Sequence, residues 1–326
     1  MTPLISVIVL NYNGRTWLGP CLTALSTQSR APQFEIVLAD NGSTDGSVDY
    51  VRQRFPLVTV VENRRNLGFA GGNNAGARAA RGSVLAFLNN DTVPAPEWLA
   101  GLHAAYDAVA QPALVTSRIV LLDRPDVIDS AGDGYLRAGG AFKHGHGARL
   151  ETVAGSREVF GACGAAFMIA REFFERLGGF DEDFFMVYED VDLSYRARLA
   201  GARCFFAGEA IVRHAGSATL GTHSAAAVFY GQRNLEWTWI KNTPRGLLLR
   251  TLPAHAMYSI AGIVHYLVKG RGTAAIGGKL SALLGLPRVL AERRALQNGS
   301  AVDAAAIERV LTRGWISLKR VEKRSG

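Results

Sequence analysis

Cysteine is scarce in this 326-residue chain: Cys21, Cys163 and Cys204 are odd in number and far apart. That excludes a disulfide framework and a zinc knuckle, and suits a reducing compartment. A basic stretch ahead of the first apolar run is also missing. MTPLISVIVLNYNG passes straight into a strand pattern, unlike a signal peptide, and a cytoplasmic setting is expected. No Walker P-loop is present and no G-x-G-x-x-G follows the first strand, so ATPase and simple dehydrogenase readings lose their main support. A clean apolar span is lacking too. The best candidate, GLLLRTLPAHAMYSIAGIVHYLVKGRG, is interrupted by Arg250, Pro253, His255 and His265, which favours a helix lying in a membrane interface over one that crosses it.

What is present is ordinary in bulk, 48% hydrophobic and 20% charged, enough for two average domains or one large domain with an appendage. The charge is unevenly placed. From Ile240 onward there are 15 Lys and Arg against 4 Asp and Glu, a net +11, whereas residues 1–239 hold 21 against 24, a net −3. The formal +8 therefore belongs to the tail, and points it at an anionic partner. Signatures of nucleic-acid modules are missing, so a membrane face is expected rather than nucleic acid.

Buried-strand runs recur at residues 5–10, 35–39, 58–61 and 84–88, separated by lengths that suit crossover helices over about 16–26, 47–55 and 73–80. This predicts a parallel α/β sheet. Several apolar segments end on carboxylates: Asp40 after FEIVLA, Asp91 after SVLAFLNN, and Glu189, Asp190 and Asp192 in FFMVYEDVDL. Such carboxylates fall at the C-terminal edge of an open sheet, where α/β folds bind ligands. The loops NYNG, DNGSTDGS and NLGFAGGNNAG are expected to bring backbone N–H groups to the same edge, as a diphosphate requires.

In their order, SVIVLNYNG, VLADNGSTDGS, NLGFAGGNNAG, LNNDT, GGFDEDFFMVYEDVDLSYRARLAG, VRHAGSAT and YGQRN resemble the family-2 glycosyltransferases from Ser6 to about Lys241. The nearest likeness is to the bacterial rhamnosyltransferase-like branch. The resemblance implies a GT-A fold, an α/β Rossmann-like sheet, over residues 1–240, followed by a helical basic region over 241–326. It implies an inverting enzyme that moves a sugar from a nucleotide donor to a lipid-linked or polysaccharide acceptor in the cell envelope. The first-choice donor is dTDP-rhamnose, with UDP-sugars also open.

Carried over residue by residue, the resemblance assigns Asn11, Asn13, Asp40, Gly68, Asn73, Asn89 and Asn90 to the nucleotide sugar. Asp40 would accept the imide N–H of uracil or thymine; its alternative is an Asx-turn in DNGSTDGS. Asn89-Asn90-Asp91 stands where the family has Asp-x-Asp, so Asp91, joined by His214, would hold Mg²⁺ or Mn²⁺. Asp190 takes the general-base position, its alternative being a helix cap. Glu189, Gly161, Cys163 and Gly164 would lie at the acceptor, although Cys163 also reads as a small packing residue and the glycines as a tight turn. Asp192 and Arg196 are spaced for an i,i+4 pair.

Residues 123–158 read as a mobile polar loop over the acceptor, in which Lys143, His144 and His146 are solvated or, as the alternative, meet phosphates. The tail is expected to dock on the cytoplasmic face of the membrane as a peripheral element, or else to pack on the catalytic domain or on a second copy. KRVEKRSG reads as a frayed end. A nucleotidyltransferase and a non-catalytic sugar-nucleotide-binding scaffold remain as alternatives: the first would need a triphosphate loop that NYNGRTW supplies poorly, the second would not need Asp91 and Asp190.

Overall fold

The computed structural model describes residues 4–216 and 224–314; KRVEKRSG and the end of VRHAGSAT lie outside them. The first half alternates strand and helix: β1 (Ile5–Asn11), α1 (Arg15–Ser26), β2 (Phe34–Asp40), α2 (Ser47–Arg54), β3 (Thr59–Glu62), α3 (Gly68–Ala79) and β4 (Val84–Asn89). Then come β5 (Thr92–Pro94), α4 (Trp98–Asp107), β6 (Ala113–Leu121), β7 (Ile128–Ser130), β8 (Asp133–Tyr135), β9 (Ala141–Lys143), β10 (Arg157–Val159) and β11 (Ala166–Ala170). After α5 (Arg171–Arg176), α6 (Glu189–Leu199) and β12 (Arg203–His214), the chain is helical: α7 (Ala225–Asn242), α8 (Arg245–Val268), α9 (Gly272–Leu284), α10 (Leu286–Asn298) and α11 (Ala304–Val310).

Among the described residues one sheet runs β10-β12-β6-β11-β4-β1-β2-β3, with β5 beside β12 and β7 beside β6. Its β4-β1-β2-β3 half is parallel, as the strand runs require, and β11 inserts antiparallel between β4 and β6. Side chains alternate between two cores. Val7, Val9 and Leu38 pack with α1, α2 and α4 on one face, while Ile8 and Val37 pack with α3, α5 and α6 on the other. Burial of both faces explains why these strands are continuously apolar.

Two expectations change here. The third helix starts at Gly68, not Asn73, because the glycines of NLGFAGGNNAG are contact points within it. A Cβ at Gly72 would lie 2.3 Å from Leu10 Cδ1, and one at Gly76 2.6 Å from Ile8 Cγ2, so only glycine lets α3 rest on β1. The first-turn N–H groups of α3 are already used. Phe69 and Ala70 donate to Phe185 O, and Gly68 to Asn66 Oδ1, so this segment is not a free phosphate loop. Residues 123–158 are the other change. They form β7, β8, β9, a short 3₁₀ turn and β10, anchored by paired backbone hydrogen bonds between Asp133 and Gly161.

The boundary at 240 falls inside α7, which is bound tightly to the sheet domain. Asp192, fully buried on α6, accepts from Arg196 Nε (2.8 Å), Lys241 Nζ (2.8 Å) and Asn242 Nδ2 (2.8 Å). The expected Asp192–Arg196 pair therefore exists, and it anchors the tail. Glu236 of α7 likewise joins α8 and α9 through His255 (2.7 Å), Ser259 (2.8 Å) and Lys279 (2.5 Å). Pro253 does not end α8, which runs 24 residues and is long and apolar enough to cross a membrane by length and composition.

Candidate active site

At the C-terminal edge of β1, β2 and β4 lies a cavity of about 490 Å³, lined in part by Gly68, Asn89, Asn90, Asp91 and His214. Beneath it, parallel register sets Asn11 beside Asp40. Asn90 Nδ2 donates to Asn11 Oδ1 (2.8 Å), and Asn11 Nδ2 donates to Asp40 Oδ1 (2.8 Å). Asp40 also accepts from Ser43 Oγ (2.6 Å), Ser43 N (2.9 Å) and Gly42 N (3.1 Å). All four lone-pair directions of its carboxylate are taken, so Asp40 builds the Asx-turn and a direct bond to a base would have to displace one of them. Asn13, at φ 51°, receives Thr44 N on its Oδ1 (2.8 Å) and holds the facing loop. Asn73 points away, buried in α3 with its amide on Phe69 O (3.0 Å). Tyr12, Asn41 and Asn66, which the motifs did not single out, also line the cavity.

Asp91 and His214 meet because the end of β12 pairs with β5: His214 lies opposite Thr92, and Ala215 N donates to Asp91 O (2.9 Å). His214 Nε2 is 3.3 Å from Asp91 Oδ1 and its Nδ1 is 2.9 Å from Asp129 Oδ2. Asp129 also receives Lys143 Nζ on Oδ1 (2.8 Å) and has His146 Nδ1 2.9 Å from its carbonyl. Burial pushes the Asp129 carboxyl up, but hydrogen bonds from His146 and His214 and the Lys143 ammonium outweigh it and hold it below the usual range. Burial opposes a charged His214, yet hydrogen bonds to Asp129 and Asp91 win and raise it to about 9. An imidazole between two carboxylates, one orienting it and one beside its other nitrogen, is a donor set that suits a divalent cation, which would displace the ring proton. Lys143 and His146 thus line the cavity: Lys143 is tied to Asp129 rather than solvated, while His146 stays exposed at its rim, as expected. His144 is half-buried, lowered to about 4 by burial and by Arg157.

A second cavity of about 350 Å³ adjoins the first, sharing Phe69, Asn89, Lys143, Met186 and His214 with it. Glu189, Asp190, Cys163 and Gly164 line it; Gly161 lies behind, where a Cβ would sit 2.8 Å from Ser194. Asp190, in the first turn of α6, accepts from Gly164 N (2.7 Å) on Oδ2 and Val191 N (2.8 Å) on Oδ1. Burial raises its pKa, and those two N–H donors moderate the rise. Gly164 is required for this approach, since a Cβ there would be 2.9 Å from Asp190 Oδ2. Glu189 is raised well above its ordinary value by burial and then by the Asp190 charge, and its Oε2 has no hydrogen-bond partner among the described residues. Burial keeps the Cys163 thiol protonated, in accord with a packing role. Asp133, Cys163 and Asp190 bring ligand atoms within 4.8 Å of one another, but the Lys143 ammonium stands beside them and disfavours a cation.

The segment leading into α6 is strained: Phe185, Val187 and Tyr188 have φ of 63°, 66° and 78°. For a β-branched valine this is costly, and such strain concentrates at functional sites. Asn234, in YGQRN and fully buried, holds it, with Nδ2 2.9 Å from Phe184 O, 2.9 Å from Met186 O and 2.7 Å from Val187 O.

Residues 6–178 match the model of the family described as glycosyl transferase family 2. The chain belongs to that family. This glycosyltransferase is 28% identical over 292 residues to the N-acetylglucosaminyl-diphospho-decaprenol L-rhamnosyltransferase of Mycobacterium tuberculosis, covering 79% of this chain and 94% of that protein. It is 28% identical over 239 residues to the uncharacterized protein y4gI of Sinorhizobium fredii, covering 68% of this chain but only 25% of y4gI. The family-2 chain thus spans about a quarter of that relative. Among solved structures, the mannosyltransferase PcManGT of Pyrobaculum calidifontis with GDP-Man and Mn²⁺ superposes with a TM-score of 0.52 at 22% identity, over 95% of this chain and 87% of that one. The likeness establishes the GT-A fold, with helices following the sheet domain.

Proposed function

We propose that this chain is an inverting glycosyltransferase acting on a lipid-linked or polysaccharide acceptor at the inner face of a bacterial cell membrane. The supporting observation is the pair of adjoining cavities: a cation-seeking group in one, a half-buried carboxylate held by two backbone N–H groups in the other, and a shared wall where a donor's anomeric carbon can meet an acceptor hydroxyl. In the first, Gly68, Asn89 and Asn90 face the nucleotide sugar, Tyr12 at the cavity wall is available to the base, and Asn11, Asn13 and Asp40 hold the floor in shape. Asp91 and His214 would bind Mg²⁺ or Mn²⁺, which when present neutralises charge on the departing diphosphate.

In the second cavity Asp190 is the base. As the acceptor oxygen bonds to the anomeric carbon, its proton passes to Asp190 and the bond from that carbon to the phosphate oxygen breaks, which inverts the configuration. A carboxyl raised by burial is a better base near neutral pH, and a positioned base contributes roughly 10²–10⁴ in rate. Glu189 and Gly164 shape the place of the acceptor, and Cys163 packs beneath it. dTDP-rhamnose is the first donor to test, because the mycobacterial relative is named as a rhamnosyltransferase on a diphospho-decaprenol acceptor. UDP-sugars are the second.

The acceptor's lipid leads to the tail. Leu252, Ile260, Val264 and Leu267 on α8 and Leu280 and Leu283 on α9 are each at least half exposed, next to basic residues such as Lys269 and Arg271. Apolar side chains in this basic setting fit an anionic membrane surface. Release of nucleoside diphosphate from a panel of dTDP-, UDP- and GDP-sugars, with Mn²⁺, Mg²⁺ or EDTA and membrane lipid extract, tests the reading. Metal-dependent release from one donor is expected; transfer of a nucleotidyl group without nucleoside diphosphate release would replace it.

A further inference from the structure

Asp133 is a residue that no motif pointed to. It sits on β8, opposite Lys143 of β9, with its backbone paired to Gly161, and it lines the acceptor cavity. It is 6% exposed, and its Oδ1 has no hydrogen-bond partner among the described residues. An Asp133 oxygen, an Asp190 oxygen and Cys163 Sγ all lie within 4.8 Å of one another. Two carboxylates this close, one buried and the other only partly reached by water, do not readily ionise together.

The surroundings decide which one keeps the charge. Asp190 is served by two backbone N–H groups at 2.7 and 2.8 Å and by the N-terminus of the 11-residue α6, all of which favour an anion. Asp133 Oδ1 has no donor. Burial, then the charge of Asp190, and further off that of Asp129, oppose its ionisation; Lys143 and the Ser130 hydroxyl oppose them and are outweighed. Cys163 stays a neutral thiol, and Glu189, beside Asp190 on α6, is likewise kept protonated by burial and by the Asp190 charge.

We propose that Asp133 and Asp190 share one proton as an acid–carboxylate pair, with Asp133 as the acid. The meaning of the pair for catalysis rests on Asp190 being the base. Asp133 is then a positioning residue. Its O–H supplies a hydrogen-bond donor inside the acceptor cavity, and its neutrality spares Asp190 a second carboxylate charge at close range, which leaves Asp190 ionised and ready. It neither gains nor loses a proton during transfer.

Difference infrared spectroscopy on the full chain tests this without turnover. At pH 7 the wild type is expected to show the carbonyl band of a protonated carboxylic acid that Asp133→Asn lacks; a band from Glu189 is common to both and cancels. No band lost in a folded Asp133→Asn overturns the proposal. Should that variant not fold, the band is titrated in Glu189→Gln and in Glu189→Gln combined with Asp190→Asn, because the Asp190 charge raises Glu189 as well. Removing the Asp190 charge is expected to let the band disappear at lower pH, and equal midpoints overturn the pairing.

Activity adds a further reading. Above the pH at which Asp133 ionises, the wild type is expected to lose kcat/KM, while Asp133→Asn, whose amide donates at every pH, keeps its rate further into the alkaline range. A scaled profile of unchanged shape would reduce Asp133 to a packing role. If the infrared result holds while Asp190→Asn turns over at the wild-type rate, the shared proton stands and the base assignment falls.

Discussion

His214 Nδ1 and Asp129 Oδ2 lie 2.9 Å apart across 85 positions of sequence. The contact turns the other imidazole nitrogen toward Asp91, and loss of such an orienting partner commonly costs 10–100-fold in metal affinity. Asp129→Asn is therefore expected to weaken metal-dependent donor binding by about 10-fold or more, and Asp91→Ala to abolish it. Calorimetry with and without Mn²⁺ reads both; unchanged affinities would remove this group from the cation site.

Asp190→Asn keeps the size of the side chain and removes its basicity. Donor binding should be unchanged, and turnover should fall by roughly 10²–10⁴. Single-turnover assays with a saturating donor measure the step directly. A variant near the wild-type rate would mean that another group takes the proton.

Asn234 offers its amide to three carbonyls of the strained segment before α6. In Asn234→Ala that segment is expected to relax, moving Asp190 and the Phe185 carbonyl that caps α3. Misplacement on the ångström scale can cost about 10²-fold, so kcat should drop well beyond any change in unfolding midpoint. A variant that loses stability alone, with kcat kept, would show that the strain is structural only.

Asp192 is placed for stability. Burial pushes its carboxyl up, but Lys241 and Arg196, with hydrogen bonds from Asn242 and Lys241, bring it from 3.8 down to about 2. With the folded pKa below the unfolded one, its contribution is full above about pH 4 and is lost as pH falls toward 2. Asp192→Ala leaves two buried cations short of a partner, at a cost of about 3–5 kcal/mol. Denaturant midpoints should differ widely between wild type and variant at pH 7 and draw together near pH 2.5. A constant difference would contradict the ionic origin.

The tail should bind vesicles containing anionic lipid, less so at high salt. Replacing Ile260 and Val264 with Ser should release the protein without changing donor binding. Co-flotation that is indifferent to lipid charge, salt and these substitutions would favour a second copy of the chain as the cover for this face.

Periodicity made the parallel half of the sheet legible and strand-end carboxylates put Asp40, Asp91 and Asp190 at its edge, because each depends on a few neighbouring residues; Asn11 and Asn13 came from the resemblance, and what the structure adds is that they and Asp40 bond to one another or to the facing loop. Even so, local reading took the glycines of α3 for a loop, when their purpose is contact with Leu10 and Ile8 of another element. Asp129 ends the short apolar run VI much as Asp40 ends FEIVLA, a signal that was open to reading, but nothing local says that β7 sets it against His214. Asp133 offers even less, since an Asp before a glycine reads as a turn. The sequence by itself determined the strands and first two helices of the parallel half, their edge residues and the basic tail, but not the strands of residues 123–158 or the start of α3. The tertiary structure decided which carboxylates face one another, which are spent on turns and which tie the tail to the sheet, because those outcomes depend on strand register and burial between segments far apart in the chain.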